Sequence, residues 1–197
     1  PAFIGPKTRA IASFIFISFS IVLPLHAMQG FTSARSMQTD ITSVGETAID
    51  DFMRGASAIE QDRFSLAQND FARATENFAE AQSSLENLNT IVAGVVNVLP
   101  QTDKTYSSVR GLIDAGKDLS QAAELLANAG EELSGKESLT LTTKLRILNT
   151  YIEEALPHVS QATDSLEKVS EKVIPEEYQD TVKELKSTAP ALAQSMS

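Results

Sequence analysis

Residues 64–95 read FSLAQNDFARATENFAEAQSSLENLNTIVAGV and indicate the fold class of the chain. Large apolar side chains recur in it every seven residues, at Phe64, Phe71, Phe78, Leu85 and Val92. Three positions after each of them stands a second apolar residue, and the first three of these are alanines. A seven-residue repeat that sets large side chains against small ones is typical of helices packed closely along one another. The stretch therefore predicts an all-α fold with heptad-like seams.

A second apolar seam lies downstream, where steps of three and four residues alternate without a break from Leu145 to Val173. Such spacing places all of these side chains on one face of a helix. Pro157 lies outside that face, so we expect it to kink the helix rather than end it. The candidate packing residues of the two seams are Phe64, Phe71, Phe78, Leu85, Leu145, Leu148, Ile152, Val159, Leu166 and Val169.

A polar break, Glu60-Gln61-Asp62-Arg63, separates the first seam from an apolar helical face that precedes it in the chain. Two structures fit this break. One is a tight helical hairpin that resembles a single tetratricopeptide hairpin, and the other is one long helix with a phase shift. We favour the hairpin.

Helix-breaking residues divide the rest of the chain. Pro100 and Pro175 interrupt the helical pattern, and Gly135 lies in a polar loop. No alternating pattern typical of strands is present. We therefore expect an antiparallel bundle or stalk of four to five helices over residues 31–197. Its parts are a hairpin over 40–99, a helix over 103–134, a loop over 135–140, and helices over 141–173 and 175–195.

The N-terminal region carries no charge between Arg9 and Arg35, and all 26 carboxylates come after it. A helix of about 20 apolar residues spans a bilayer, so residues 10–30 predict a transmembrane helix with the lipid bilayer as its partner. Positive residues stay in the cytoplasm. The basic head, residues 1–9, is therefore expected there and the acidic bulk outside. A cleaved signal peptide ending at Ala27 or Ala34 is the alternative.

Composition argues against nucleic-acid binding, metal binding and catalysis. The formal net charge of −10 disfavours nucleic acid as a partner, and a chain without cysteine forms neither disulfides nor thiolate metal sites. Glu154 and His158 share a helix, but a metal site needs three or four ligands. Adjacent acidic pairs such as Asp50-Asp51 are expected on exposed faces, where nothing shifts their pKa. The sequence predicts no enzyme, and no catalytic, cofactor-binding or metal-binding residue.

Three segments carry a resemblance to a known family: DFARATENFAEAQSSLENLNTIVAGVVNVLP, VRGLIDAGKDLSQAAELL and LPHVSQATDSLEKVSEKVIP. With the N-terminal span, they resemble the helical region before the conserved core of the bacterial domain-of-unknown-function family numbered 4012. The similarity in layout covers roughly residues 10–197. It implies a membrane-anchored, extracytoplasmic protein and assigns no functional residue.

The expected function is a non-enzymatic stalk or scaffold, which spaces or presents a downstream domain or binds a protein partner through its helical faces. Self-association through those faces is an equal possibility. The alternative is the ligand-sensing periplasmic helical bundle of a chemoreceptor or sensor kinase. That alternative requires a second membrane span, and the sequence from residue 31 to residue 197 contains no second long apolar run.

Overall fold

Five helices make up the part of the chain that the computed structural model describes, namely residues 32–93, 102–134, 139–173 and 176–196. No strand occurs in these ranges, so the predicted all-α fold is confirmed. A short 3₁₀ turn precedes the last helix. The elements are α1 (Thr32–Glu60), α2 (Phe64–Ala93), α3 (Thr102–Leu133), α4 (Leu141–Glu167), the 3₁₀ turn (Glu171–Val173) and α5 (Glu176–Ser195).

The helices pack in the order in which they occur in the chain. Each of α2, α3 and α4 lies between the helix before it and the helix after it. Among the described residues, α1 and α4 share no extensive contact. A closed four-helix bundle would bring its first and fourth helices together. The described helices therefore form a row of neighbours rather than a closed bundle.

The turn between α1 and α2 occupies residues 61–63. Asp62 has a φ of 55°, in the left-handed region that Asp tolerates better than most residues. The backbone N–H groups of Gln61 and Arg63 both donate to the carbonyl of Ala58, at 3.1 and 2.9 Å. The turn lets α2 fold back along α1, so this region is a hairpin rather than one long helix.

Helix α4 begins at a clear cap and ends earlier than its apolar pattern predicts. The backbone N–H of Thr143 donates to the hydroxyl of Thr140 at 3.3 Å, which satisfies one free donor of the first turn. The helix continues through Pro157 but stops at Glu167, not at residue 173. The N–H of Lys168 bonds three residues back, which tightens the last turn and leads into the 3₁₀ segment.

Aromatic rings of α2 rest on glycines of its two neighbours. The contacts are Phe71 with Gly55 of α1, Phe78 with Gly116 of α3, and Phe64 with Gly130 of α3. A Cβ atom at Gly116 would lie only 2.7 Å from the ring of Phe78. The two phenylalanines that meet α3 are fourteen residues apart, and so are their glycines. Helices α2 and α3 therefore run antiparallel in one fixed register.

The described helices include none that is long and apolar enough to cross a membrane. The predicted span at residues 10–30 and the basic head at residues 1–9 lie outside the described residues. The same holds for residues 135–138 of the predicted loop.

Candidate functional site

The first seam lies in the core of the row. Phe71, Phe78 and Leu85 are buried, and Phe64 is partly buried over Gly130. Phe71 also meets the ring of Phe52 edge to face, with 5.2 Å between ring centroids and 63° between the ring planes. This geometry is the one that aromatic pairs prefer. These side chains serve packing between α1, α2 and α3.

The second seam divides into two halves. Its C-terminal half, from Ala155 through Val159 and Leu166 to Val169, is buried. Near α4's N-terminus the seam is open to solvent. There the structure differs from the expected buried seam, because Leu145 is 56% exposed and Leu148 is 38% exposed.

The end of α5 explains this division. Ala193, the last apolar residue of α5, and Met196, which directly follows the helix, pack against the cluster formed by Ala122, Ala155 and Val159. Helix α5 therefore stops beside the middle of α4. None of the described helices covers the face of α4 that precedes Ile152, so the periodic pattern continues there without a packing partner.

The open half of the seam is a row of four side chains, which we name the leucine stripe: Leu141, Leu145, Leu148 and Ile152. Leu141 is 72% exposed, and Ile152 is partly buried. Isolated exposed leucines are ordinary on protein surfaces, but a contiguous row at helical spacing is typical of a contact surface. The stripe is the first candidate functional feature of the molecule.

A buried charged cluster joins α1 to α2. Asp51 and Asp70 are each 2% exposed. Arg73 Nε donates to Asp51 Oδ1 at 3.1 Å, and Asn77 Nδ2 donates to Asp51 Oδ2 at 2.7 Å. Arg54 Nε lies 3.7 Å from Asp70 Oδ1. Within each helix the aspartate also pairs with the arginine three residues later.

The cluster is built from a short sequence that occurs twice. Residues 51–54 read Asp-Phe-Met-Arg and residues 70–73 read Asp-Phe-Ala-Arg. Because the helices are antiparallel, each aspartate faces the arginine of the other copy, and the two phenylalanines meet between them. The expectation that Asp51 belongs to an exposed acidic pair is therefore wrong. Asp50 is exposed, but its neighbour is buried against Arg73 from 22 residues further along the chain.

A second polar cluster lies between α3 and α4, and its groups are poorly paired. Asp114 Oδ2 is 3.7 Å from Arg110 Nε, but Asp114 Oδ1 is buried without a hydrogen-bond partner, as is Nδ1 of His158. Asp118 is 7% exposed and forms no hydrogen bond or ion pair with other described residues. Buried polar groups usually have partners, so this cluster is unusual.

Burial determines how these carboxylates titrate. Loss of hydration raises the pKa of Asp118 above its ordinary value of 3.8, against the opposing effect of Lys117 and His158. Burial likewise raises the pKa of Asp114, although Arg110 and Lys117 favour its ionised form. The ion pairs of the α1–α2 cluster act in the other direction, because the hydrogen bond to Asp51 raises the pKa of Arg73 and so favours its charged form.

The α3–α4 cluster offers little coordination chemistry. Among the described residues, no group of three or more histidines and carboxylates could hold a metal ion. Comparison with known proteins adds no assignment: no protein-family model, no curated protein and no solved structure matches the chain. The leucine stripe and the two polar clusters are thus interpreted from their own geometry.

Sequence reasoning placed Leu145, Leu148 and Ile152 on one helix face, but it predicted that face to be buried, did not include Leu141, and missed both polar clusters. The repeated Asp-Phe-x-Arg sequence was a usable signal for the first cluster, since its two copies flank a predicted hairpin turn. The second cluster had a weaker signal. Asp114 and Asp118 are four residues apart, so they share one face of α3. The apolar residue Ile113 directly precedes Asp114 in the sequence.

Proposed function

We propose that the chain is a non-enzymatic helical scaffold, anchored in a membrane through residues 10–30 and extracytoplasmic over the rest. It spaces or presents a downstream domain, or it binds a protein partner through an exposed helical face. The observation that carries this proposal is the leucine stripe. It is an apolar helix face that continues a buried seam and lacks a partner within the described residues. The anchor rests on the uncharged run between Arg9 and Arg35.

The membrane part of the proposal is tested by fractionation. Expressed from its full reading frame in a bacterial host, the protein should stay in the membrane pellet through alkaline carbonate washing. It should also keep its N-terminal segment, as measured by mass spectrometry. A matched variant with Ile15→Lys and Ile17→Lys, which charges the middle of the apolar run, should leave the pellet. A soluble product cut after Ala27 or Ala34 would contradict the anchor and indicate a cleaved signal peptide.

The second candidate function is a ligand-sensing ectodomain, and one observation favours it. Asp114 Oδ1 and His158 Nδ1 are each buried without a hydrogen-bond partner, and a small polar ligand that reached either atom would supply one. Such a ligand would raise the melting temperature by mass action. A thermal-shift screen of small amines, amides and carboxylic acids tests this idea, with Asp114→Asn as the variant that should lose the shift. If no compound raises the melting temperature, the sensor has no support.

A further inference from the structure

We infer that the leucine stripe binds the leucine stripe of a second copy of this chain, with the two α4 helices antiparallel. The inference deepens the proposed function, because it rests on the stripe being a contact surface and names its partner. It does not depend on the membrane anchor.

The spacing of the stripe is self-complementary. Its members follow one another in steps of four, three and four residues, from Leu141 to Ile152, so the row reads the same in both directions. Two antiparallel stripes centred between Leu145 and Leu148 set each of these leucines against the other. They also set Leu141 against Ile152. A two-fold contact of this kind uses the same patch on both copies.

The stripe also continues an interface that already exists within the chain. The same face of α4 is covered by α3 and α5 from Ala155 onwards. A second α4 helix would take up the line of α5 where α5 ends beside Ala155. The apolar contact would then run along the whole of α4, and water would be removed from Leu141 and Leu145, the two most exposed leucines of the described residues.

The direction of α5 favours the antiparallel arrangement. Near the C-terminal end of α5, Ala193 packs against the cluster that contains Ala155 of α4. Lys186, nearer the start of α5, donates to the carbonyl of Val169 beyond the C-terminus of α4. Helix α5 therefore runs antiparallel to α4, and a second α4 helix that takes up its line in the same direction is antiparallel as well.

A second copy fits this surface better than a lipid headgroup layer does. The chain as a whole carries a net charge of −10, which an anionic bilayer surface repels. An identical stripe matches the spacing of the row, and no additional partner is needed.

The first test measures the oligomeric state of the full chain in a mild detergent by analytical ultracentrifugation. The protein should dimerise reversibly with concentration. Leu148→Glu should raise the dissociation constant about tenfold or more. Leu66→Glu is the matched control, because Leu66 lies on α2 and is exposed to the same 38%; it should leave the dissociation constant unchanged. Equal circular-dichroism melting of both variants establishes that each is folded.

A monomer at every concentration would overturn the inference, and so would equal weakening by Leu66→Glu. Vesicle binding that is lost in Leu148→Glu, without dimerisation, would assign the stripe to a lipid surface instead.

The second test fixes the register by disulfide formation, which is convenient because the chain has no native cysteine. An oxidised mixture of Leu145→Cys and Leu148→Cys chains should cross-link. Leu141→Cys chains should not cross-link with one another, because an eleven-residue offset along two helices is about 16 Å and a disulfide needs Cα atoms within about 7 Å. Cross-linking of Leu141→Cys to itself would indicate a parallel pair and overturn the inference.

These results can be separated from a failure of the proposed function. Loss of the protein from the membrane pellet would refute the anchor and leave the dimer test intact. A monomer that remains in the pellet would refute self-association and leave the anchored scaffold standing.

Discussion

The α1–α2 hairpin and the α3–α4 pair both bury carboxylates between antiparallel helices, but they treat them differently. In the hairpin, Asp51 receives hydrogen bonds from Arg73 and Asn77. In the α3–α4 pair, Asp118 is buried without such a partner. A buried charge whose hydrogen bonds are all made holds two helices in one register. A buried carboxylate without partners weakens the contact.

The difference shows where each contact obtains its specificity. The hairpin is aligned by ionic and aromatic groups that fit in only one register, namely the two copies of Asp-Phe-x-Arg. The α3–α4 pair is aligned by close approach instead. A Cβ atom at Gly111 would lie 2.6 Å from the carbonyl oxygen of Ser165, so the two backbones touch at that point.

Arg73→Met should destabilise the protein most. It leaves Asp51 and Asp70 buried with one arginine between them, and breaking a buried ion pair costs about 3 kcal/mol or more. Because Arg73 is itself half exposed, we expect the lower end of that range. Urea unfolding measures the change. Arg63→Met, an exposed arginine at the turn, is the control and should change stability by less than about 0.5 kcal/mol. Equal effects would mean that the cluster does not align the hairpin.

Gly111→Ala should be the next most damaging change, at about 2 kcal/mol, since the new methyl group meets backbone that cannot rotate away. Gly55→Ala should cost less. The new Cβ atom would lie 2.8 Å from the ring of Phe71, and that ring can shift. The alanine also favours the helix by about 1 kcal/mol relative to glycine. Thermal melting of the two variants compares them directly. A larger loss at Gly55 would reverse the view that close backbone approach is special to the α3–α4 pair.

Asp118→Asn should not destabilise the protein, and it should raise stability at neutral pH by no more than about 1 kcal/mol. The folded-state pKa of Asp118 lies above 3.8, so the folded protein binds more protons than the unfolded chain. Its stability is therefore full below pH 3.8 and falls as pH rises through the folded-state pKa. The Asp118→Asn variant has no carboxylate at this position and does not lose this contribution to stability as the pH rises.

The measurement is the difference in melting temperature between Asp118→Asn and the native chain, followed from acid to neutral pH. The difference should grow upward from about pH 3.8. Asp164→Asn, an exposed carboxylate on α4, should show no such growth. A variant that is less stable than the native chain at neutral pH would show that Asp118 has a favourable partner after all.

His158→Ala should have the smallest effect, below about 0.5 kcal/mol, because its buried Nδ1 makes no hydrogen bond that could be lost. Asn77→Ala in the hairpin should cost about 1–2 kcal/mol, since it removes a donor to Asp51. Melting should also be unchanged by strong chelators and by added zinc. A fall of several degrees on chelation would point to a metal bound near His158.

Much of the fold could be predicted from local periodicity. The seven-residue spacing of Phe71, Phe78 and Leu85 indicates a buried helix face whatever partner covers it. The hairpin turn was harder, because residues 60–63 also permit a phase-shifted helix. Whether the chain forms the hairpin or the longer helix depends on whether the two helical faces complement each other. The repeated Asp-Phe-x-Arg sequence provides that complementarity.

The candidate sites were less predictable, because they depend on where neighbouring helices end. Leu145 and Leu148 obey the same spacing as buried Val159, and their exposure follows only from the position at which α5 stops. Burial of Asp51 depends on Arg73, which lies on another helix. Gly111 and Gly116 are poor helix formers in the interior of α3. The structure shows that they admit a neighbouring backbone and a ring, which offsets their poor helix propensity.

The odd number of antiparallel helices in the described row has a directional consequence. Because α1, α3 and α5 point the same way, α5 ends on the side of the row opposite to the side on which α1 begins. Helix α5 has 20 residues, so it moves the chain about 30 Å parallel to the helix axes. Adding a hairpin would widen the row without changing this direction, whereas adding or losing a single helix would turn the exit back toward its start. Parity, more than helix length, thus sets the side on which anything attached to α5 is displayed.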